Sequence, residues 1–407
     1  MAGHMQINGA KSKLKVGIVM PHMGGGGLFQ LSLGIADALL KYSRDYDYTL
    51  LYFDKETLQW LTSLTRHTPL VHIVPKSYVY RLNTLINLVL KLKILPMSSE
   101  KRASAIRNAD LDLLIVPFYG LIGYTEDIPY IVTISSIMHT YYPDLTPFED
   151  KLLAQVFAKN AARYSEISVV DSPQGTEDLH SIFHIPTDKI RIIPHSVSGY
   201  IYANDSMSIE TAQHVLSKFR LPERYVFYPS DFEPLKNHKR LIQALSLIKA
   251  KYGIRVPLIL AGRDGEKYRD ELIGFVRQYQ MADQVLFIGF MSDKEVVALY
   301  KLAVALVYTS LCGPTNLPPV EAMILGTPVL CSNIFSMPEQ VGDAGLLFDP
   351  FSAEDMAEKI FMIWTDADLR RRLVENGLRK RKELTQEKYA MQWESVIGDA
   401  MQMIGKK

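Results

Sequence analysis

YVFYPSDFEPLKNHKRLIQALSLIKAKYGIRVPLILAG, residues 225–262, decides the fold. An apolar run ends in a turn, and apolar positions then recur at helical spacing from about His238 to Tyr252. A second apolar run, VPLILAG, follows at 256–262. Strand, helix and strand in that order form a βαβ unit, and strands that are apolar throughout suit a parallel sheet covered on both faces. The alternation continues through a helix near Tyr268–Tyr279, VLFIGF (285–290), a helix over Lys294–Leu302, VALVYTS (304–310), PVLCSN (328–333) and AGLLFDP (344–350).

The same grammar runs upstream. KVGIVM (15–20) ends at Pro21, glycines occupy 24–27, and Leu28–Tyr42 has helical spacing through Leu31, Ile35, Ala38 and Leu39. YTLLYF (48–53), VHIVP (71–75), DLLIVP (112–117), PYIVTIS (129–135) and ISVVDS (167–172) continue as strands. Between the two series, RIIPHSVSGYIYANDS (191–206) has turn residues and little periodicity, and reads as a linker. The expectation is an α/β chain of two Rossmann-like domains facing a cleft. Residues 1–200 form the first and 201–385 the second. A last helix in 386–407 either covers its own domain or returns to brace the first. Ligands of such sheets sit outside the strand carboxyl ends, which places the site in the cleft.

Composition narrows the function. A chain of 407 residues exceeds what one core usually supports. Formal charge is +1 and the hydrophobic fraction 48%, a globular balance that gives no reason to expect nucleic acid as a partner. Cys312 and Cys331 lack metal-ligand spacing, and a reducing cytoplasm is the default compartment. The start, MAGHMQINGAKSKLK, has no apolar core of a signal peptide, and no later window is long and apolar enough to span a bilayer. Residues 76–107, KSYVYRLNTLINLVLKLKILPMSSEKRASAIR, interleave basic and apolar side chains. Such a segment can lie peripherally on anionic lipid, here the cytoplasmic face of an inner membrane, or pack as a core helix with a solvated basic edge. Nothing in the sequence sets the oligomeric state.

YTSLCGPTNLPPVEAM (308–323) carries the chemistry. Thr315 or Asn316 can cap a helix whose first turn tolerates Pro318 and Pro319, and free amides at a helix start favour phosphate. The glycine run around Gly25 and Gly26 would do the same from the first domain, although a glycine run by itself also serves as a plain flexible turn. Lys236 supplies a point charge just ahead of a helix, where a solvated surface lysine would read the same way. Glu321 repels phosphate and instead suits ribose hydroxyls, as acids do in dinucleotide folds.

YPSDFEPLKNHKRLIQAL (228–245), VLFIGFMSDKEVVALY (285–300), and LPPVEAMILGTPVLCSN (317–333) followed by PEQVGDAGLLFDP (338–350) resemble glycosyltransferase family 4, retaining transferases of the GT-B fold. VTISSIMHTYYPD (132–144) and KIRIIPHSVS (189–198) add support from the first domain. The resemblance implies a nucleotide-diphospho-sugar donor in the second domain, with GDP-mannose favoured and dTDP-rhamnose or a UDP-sugar as alternatives. It implies a glycan acceptor, often lipid-linked, in the first. It also implies that Glu321 binds the ribose and Lys236 the diphosphate, that Phe290 and Met291 read the base beside Gly262 and Arg263, and that the Asn316 and Leu317 amides approach phosphate and sugar. Gly313 stands where a first glutamate usually holds sugar hydroxyls, and Asp231 where an arginine is common. Ser135 and Ser136 replace a frequent His-Asp pair, and His195 replaces an asparagine. His139 keeps a downstream histidine, which would orient sugar or acceptor, and Ser135 could bond the sugar. The form G-P-T-N-L-P-P is similar to that of bacterial surface-polysaccharide transferases, which build O-antigen or capsule.

Mechanism follows from charge. Lys236 and the helix starts would stabilise the departing diphosphate, and no Asp-x-Asp stands in a suitable loop, so neither metal nor cofactor is expected. Attack on the face the leaving group departs from, with a phosphate oxygen as base, is what the resemblance implies. Two other readings stay open: a catalytically degenerate homologue that binds nucleotide or a partner, and a sugar-nucleotide epimerase or phosphorylase of the same fold.

Overall fold

The computed structural model describes residues 13–21, 27–65, 68–73, 105–118, 128–134, 137–145, 158–263, 266–311 and 316–405. Two parallel sheets carry the chain. The first contains β1 (Leu14–Val19), β2 (Tyr46–Tyr52), β3 (Leu70–His72), β4 (Leu113–Val116), β5 (Tyr130–Thr133), β6 (Ile167–Val170) and β7 (Ile190–Ile192), in the order β3-β2-β1-β4-β5-β6-β7. The second contains β8 (Val226–Pro229), β9 (Leu258–Ala261), β10 (Val285–Gly289), β11 (Ala305–Tyr308), β12 (Val329–Ser332) and β13 (Gly345–Phe348), in the order β10-β9-β8-β11-β12-β13. In each, the chain reverses direction of travel across the sheet beside its first strand, and a crevice opens there at the carboxyl ends.

The core explains the apolar strands. Val16, Ile18, Leu50 and Ile115 pack on one face of the first sheet against Leu31 and Ile35 of α1 (Gly27–Tyr42), while Val19, Leu114 and Val132 pack on the other with Leu179 of α2 (Pro173–Phe183). Both faces are covered, so β4, β5 and β6 are buried along their whole length.

The stretch read as linker holds more order than its sequence shows. It contains the end of β7 and a short helix, α3 (Gly199–Ala203). β7 is an edge strand of 3 residues with Ile192 44% exposed, so it has no apolar run to announce it. Ile193 belongs to the first-domain core, whereas Val197 and Ile201 are buried in the second, so the changeover falls slightly before residue 200. Helix α1 clamps the crossing. A Cβ on its Gly34 would meet the Ser196 carbonyl at 3.2 Å, Ser198 Oγ donates to Gln30 Oε1 at 2.6 Å, and the Gly199 amide donates to Asp37 Oδ2 at 3.0 Å. Burial raises the Asp37 carboxyl to about 6.

Three more helices position the site: α4 (His238–Tyr252), α5 (Asp293–Leu302) and α6 (Leu317–Leu325). Beyond them lie α7 (Met337–Val341), α8 (Ala367–Arg381) and α9 (Gln386–Gly405). Helix α9 crosses back. Tyr389, Trp393 and Ile397 are buried with α1 residues in the first-domain core, and Arg191 Nε pairs with Asp399 at 2.7 Å.

The two sheets present their carboxyl ends to each other. Ser336, past β12, donates to Asp171 Oδ2, past β6, at 3.1 Å. Phe335, in the left-handed region at φ 50°, meets the rings of Tyr141 and Tyr142 at 5.0 and 6.2 Å.

Candidate active site

The turn between β8 and α4 holds Lys236. Pro234–Lys236 form one tight helical turn, closed by Asn237 in the left-handed conformation. The Lys236 carbonyl accepts from Tyr228 Oη and from Thr309 Oγ1, each at 2.9 Å, and the Leu235 carbonyl accepts from the Leu311 amide at 2.8 Å. The end of β11 therefore staples this turn in place, and the lysine is positioned through its backbone. No carboxylate pairs with its ammonium among the described residues. The charge is felt two residues on, at the start of α4, where burial and Lys236 together push His238 down to about 3. That histidine is neutral, and its Nε2 lies 3.1 Å from Ser230 Oγ.

Glu321 lies on the next element and is held the opposite way. It is 6% exposed on α6, and its own carboxylate is the anchored group. Tyr300 Oη of α5 donates to Oε2 at 2.7 Å, and the Tyr200 hydroxyl of α3 bonds to it as well. Burial raises the Glu321 carboxyl to about 7, against the pull of the two hydroxyls. An ionised carboxylate has about four lone-pair sites, so two tyrosines leave room for two further donors.

The start of α6 differs from the sequence expectation. Asn316 occupies the capping position at φ 42°, but its side chain does not cap the helix. Its Oδ1 instead accepts from Tyr308 Oη at 3.2 Å. Pro318 and Pro319 carry no N–H, so the free donors of the first turn are the amides of Leu317 and Val320. A phosphate there would meet few amides, and would need a nearby cation for more of its charge.

The remaining second-domain residues form a rim. Asp231 Oδ1 accepts from the Arg263 amide at 3.1 Å, so this carboxylate ties the β8 loop to the β9 loop. Gly262 is fixed by packing: a Cβ there would sit 2.0 Å from the Ser230 carbonyl oxygen. Phe290 is 71% exposed with the Arg263 guanidinium 5.6 Å from its ring centre, while Met291 is buried. An exposed ring backed by a planar cation is a stacking surface. The structure thus brings Lys236, Glu321, Asn316 and Leu317 to one sheet edge, with Asp231, Gly262, Arg263, Phe290 and Met291 alongside.

Gly25, Gly26, Ser135, Ser136, Gly313 and Thr315 lie outside the described residues, as does 76–104 of the basic segment. His139 falls in a short helix, Met138–Tyr141, whose last residue meets Phe335 across the cleft. Sequence reading missed Tyr200, Tyr228, Tyr300 and Thr309, the residues that hold the two charged ones. Their signal is weak, since a tyrosine on an apolar face reads as core until its hydroxyl finds a partner.

Residues 211–380 match the family described as glycosyl transferases group 1. The serotype-specific mannosyltransferase WbdA of Escherichia coli is 30% identical over 208 residues, covering 51% of this chain and 25% of that protein. O-antigen chain mannosyltransferase B of Escherichia coli is 31% identical over 242 residues, covering 56% of this chain and 62% of that one. The chain therefore spans less than two thirds of either relative. Among solved structures, HepE of Anabaena in complex with UDP and glucose aligns with a TM-score of 0.73 at 17% identity, over 95% of this chain and 99% of that one. The fold is GT-B. No helix among the described residues is long and apolar enough to cross a membrane.

Proposed function

We propose that this chain, whose residues 211–380 match the group 1 glycosyl transferases, transfers a hexosyl group from a nucleotide-diphospho-sugar to a glycan. A mannosyl donor is favoured because relatives of both lengths carry that name, and a lipid-linked surface-polysaccharide precursor is the acceptor class that suits them. Residues 76–107 would supply peripheral contact with an anionic leaflet. The observation that carries the reading is the pairing, on one sheet edge, of an ammonium with no carboxylate partner among the described residues and a buried carboxylate already hydrogen-bonded by hydroxyls.

In this reading Lys236 faces the diphosphate and Glu321 accepts the ribose hydroxyls. Phe290 and Arg263 border the base. As the bond from the anomeric carbon to the phosphate oxygen breaks, its electron pair stays on the diphosphate, and Lys236 offsets that charge without a metal ion. The acceptor hydroxyl attacks on the same face, and its proton passes to the departing phosphate oxygen. His139 orients sugar or acceptor, Ser135 adds a hydrogen bond, and the amides of Asn316 and Leu317 replace the contact a carboxylate at Gly313 would give. Gly25 and Gly26 approach the donor from the first domain.

A donor panel tests this. Purified chain is incubated with GDP-, UDP- and dTDP-sugars, with and without lipid-linked acceptor, and nucleoside diphosphate and product mass are followed. Extended glycan with stoichiometric nucleoside diphosphate is expected. Free sugar epimer would make the chain an epimerase, and saturable nucleotide binding without turnover on any acceptor would leave a binding protein.

A further inference from the structure

A cavity lies behind the edge that carries Lys236 and Glu321, where both domains, the crossing and α9 meet. It holds about 310 Å³, at the small end of the range for ligand pockets. Val320 lines it, whereas the next residue, Glu321, bonds to Tyr300 and Tyr200, so α6 separates the cavity from that carboxylate. We propose that this cavity is a binding site for a neutral hexose unit of a glycan, separate from the donor site. The proposal rests on the glycan-handling reading above and adds a second sugar subsite to it.

Three observations specify the ligand. The floor is polar and buried: Asp171 accepts from Ser336 Oγ at 3.1 Å, with His195 Nε2 3.8 Å from the same oxygen. The wall contains an unmet acceptor, since Gln340 Oε1 is buried with no hydrogen-bond partner among the described residues, and a hydroxyl donor would complete it. The rim is acidic. Exposed Glu339 and Glu383 stand against one lysine, Lys380, whose ammonium already donates to the Glu339 carbonyl at 3.0 Å. Asp171, Glu339 and Glu383 bring three carboxylates to the lining against that one lysine, so phosphate or another anion is disfavoured and a polyol, which donates to carboxylates, is matched. Tyr389 and Leu384 add the apolar surface that the carbon face of a pyranose needs. Asp171 and Ser336 come from opposite domains, so an occupant here favours the arrangement in which they meet.

The test uses the full chain and calorimetric titration with methyl α-mannoside and an α-linked mannobiose, against mannose 6-phosphate as the anionic probe. Each titration is repeated with saturating nucleoside diphosphate. Saturable binding of the neutral sugars, unchanged by the nucleotide and at least tenfold weaker for the phosphate ester, is expected. Gln340→Met should weaken it about tenfold, and Glu383→Gln, on the exposed rim where folding is not at stake, several-fold. Absence of saturable binding, indifference of both variants, or displacement by nucleotide overturns the proposal. Because the readout is binding, a failed donor panel with sugar binding intact would condemn the catalytic reading alone.

Discussion

Lys236 and Glu321 sit on one edge of one sheet and are held in opposite ways. The lysine is fixed through its carbonyl by Tyr228 and Thr309, which leaves its ammonium without a carboxylate partner among the described residues. The glutamate is fixed through its charged end by Tyr300 and Tyr200, and its carboxyl is pushed up to about 7 by burial. Backbone anchoring leaves the ammonium available to an incoming anion. Burial, against the pull of those hydroxyls, keeps the acid near its titration point, so its use depends on pH. The first arrangement suits a group that meets charge developing in a transition state, and the second suits one that recognises a fixed part of the substrate.

The sharpest way to break this contrast is to truncate each side chain. Lys236→Ala should lower kcat by about 100- to 1,000-fold, the range seen when one preorganised charge stabiliser is removed. Its thermal midpoint should stay close to the parent, because the anchoring bonds go to a carbonyl that the variant retains. Glu321→Ala should act chiefly on donor KM, by about 10- to 100-fold, as loss of hydrogen bonds to a charged acceptor would. Steady-state kinetics with calorimetric melting decides between them. Equal falls in kcat with unchanged KM in both variants would erase the distinction.

The pH dependence sharpens it further, with two signs. Burial raises Glu321 from 4.5 to about 7, so between those values the native chain holds a proton that the unfolded chain has released. Its contribution to stability is therefore complete below about 4.5 and lost as pH rises through about 7. Donor affinity runs the other way, since only the ionised carboxylate accepts from two tyrosines and a ribose together. Nucleoside diphosphate binding should tighten several-fold between about pH 6 and 8 while the melting temperature drifts down. Glu321→Gln should flatten both curves, and a parent-like slope in that variant would assign the titration elsewhere.

Legibility in the sequence divides along the same line. Lys236 and Glu321 could be found because each stands in a short motif beside an apolar run, and the strands could be found because burial on both faces removes alternation. Their supports could not. Tyr300 lies 21 residues before Glu321, and Thr309 lies 73 residues after the carbonyl it holds. The Asp171–Ser336 bridge spans 165 residues and joins two domains. Gly262 was read as part of a base pocket, yet what requires glycine is the Ser230 carbonyl 2.0 Å from where a Cβ would stand. Such a clash is backbone against backbone and leaves no periodic trace. Gly262→Ala should cost about 1–3 kcal/mol of stability by overpacking, and urea melts would read it. It should also disturb the Lys236 turn that follows Ser230.

The smallest effects test the anchoring itself. Thr309→Val and Tyr228→Phe each remove one of the two donors to the Lys236 carbonyl and leave the ammonium in place. Each should cost about 1 kcal/mol or less in stability and a few-fold in kcat, because the carbonyl keeps its other partner. The double variant leaves that carbonyl without either donor. If the two hydroxyls act as one clamp, its loss in kcat should exceed the product of the single losses by several-fold, the coupling expected of groups sharing a partner. If the losses simply multiply, each hydroxyl serves its own strand and the turn is held by other means. In that case the Leu235 carbonyl, which accepts from the Leu311 amide at 2.8 Å, becomes the anchor that matters, and Lys236 is positioned by β11 backbone alone.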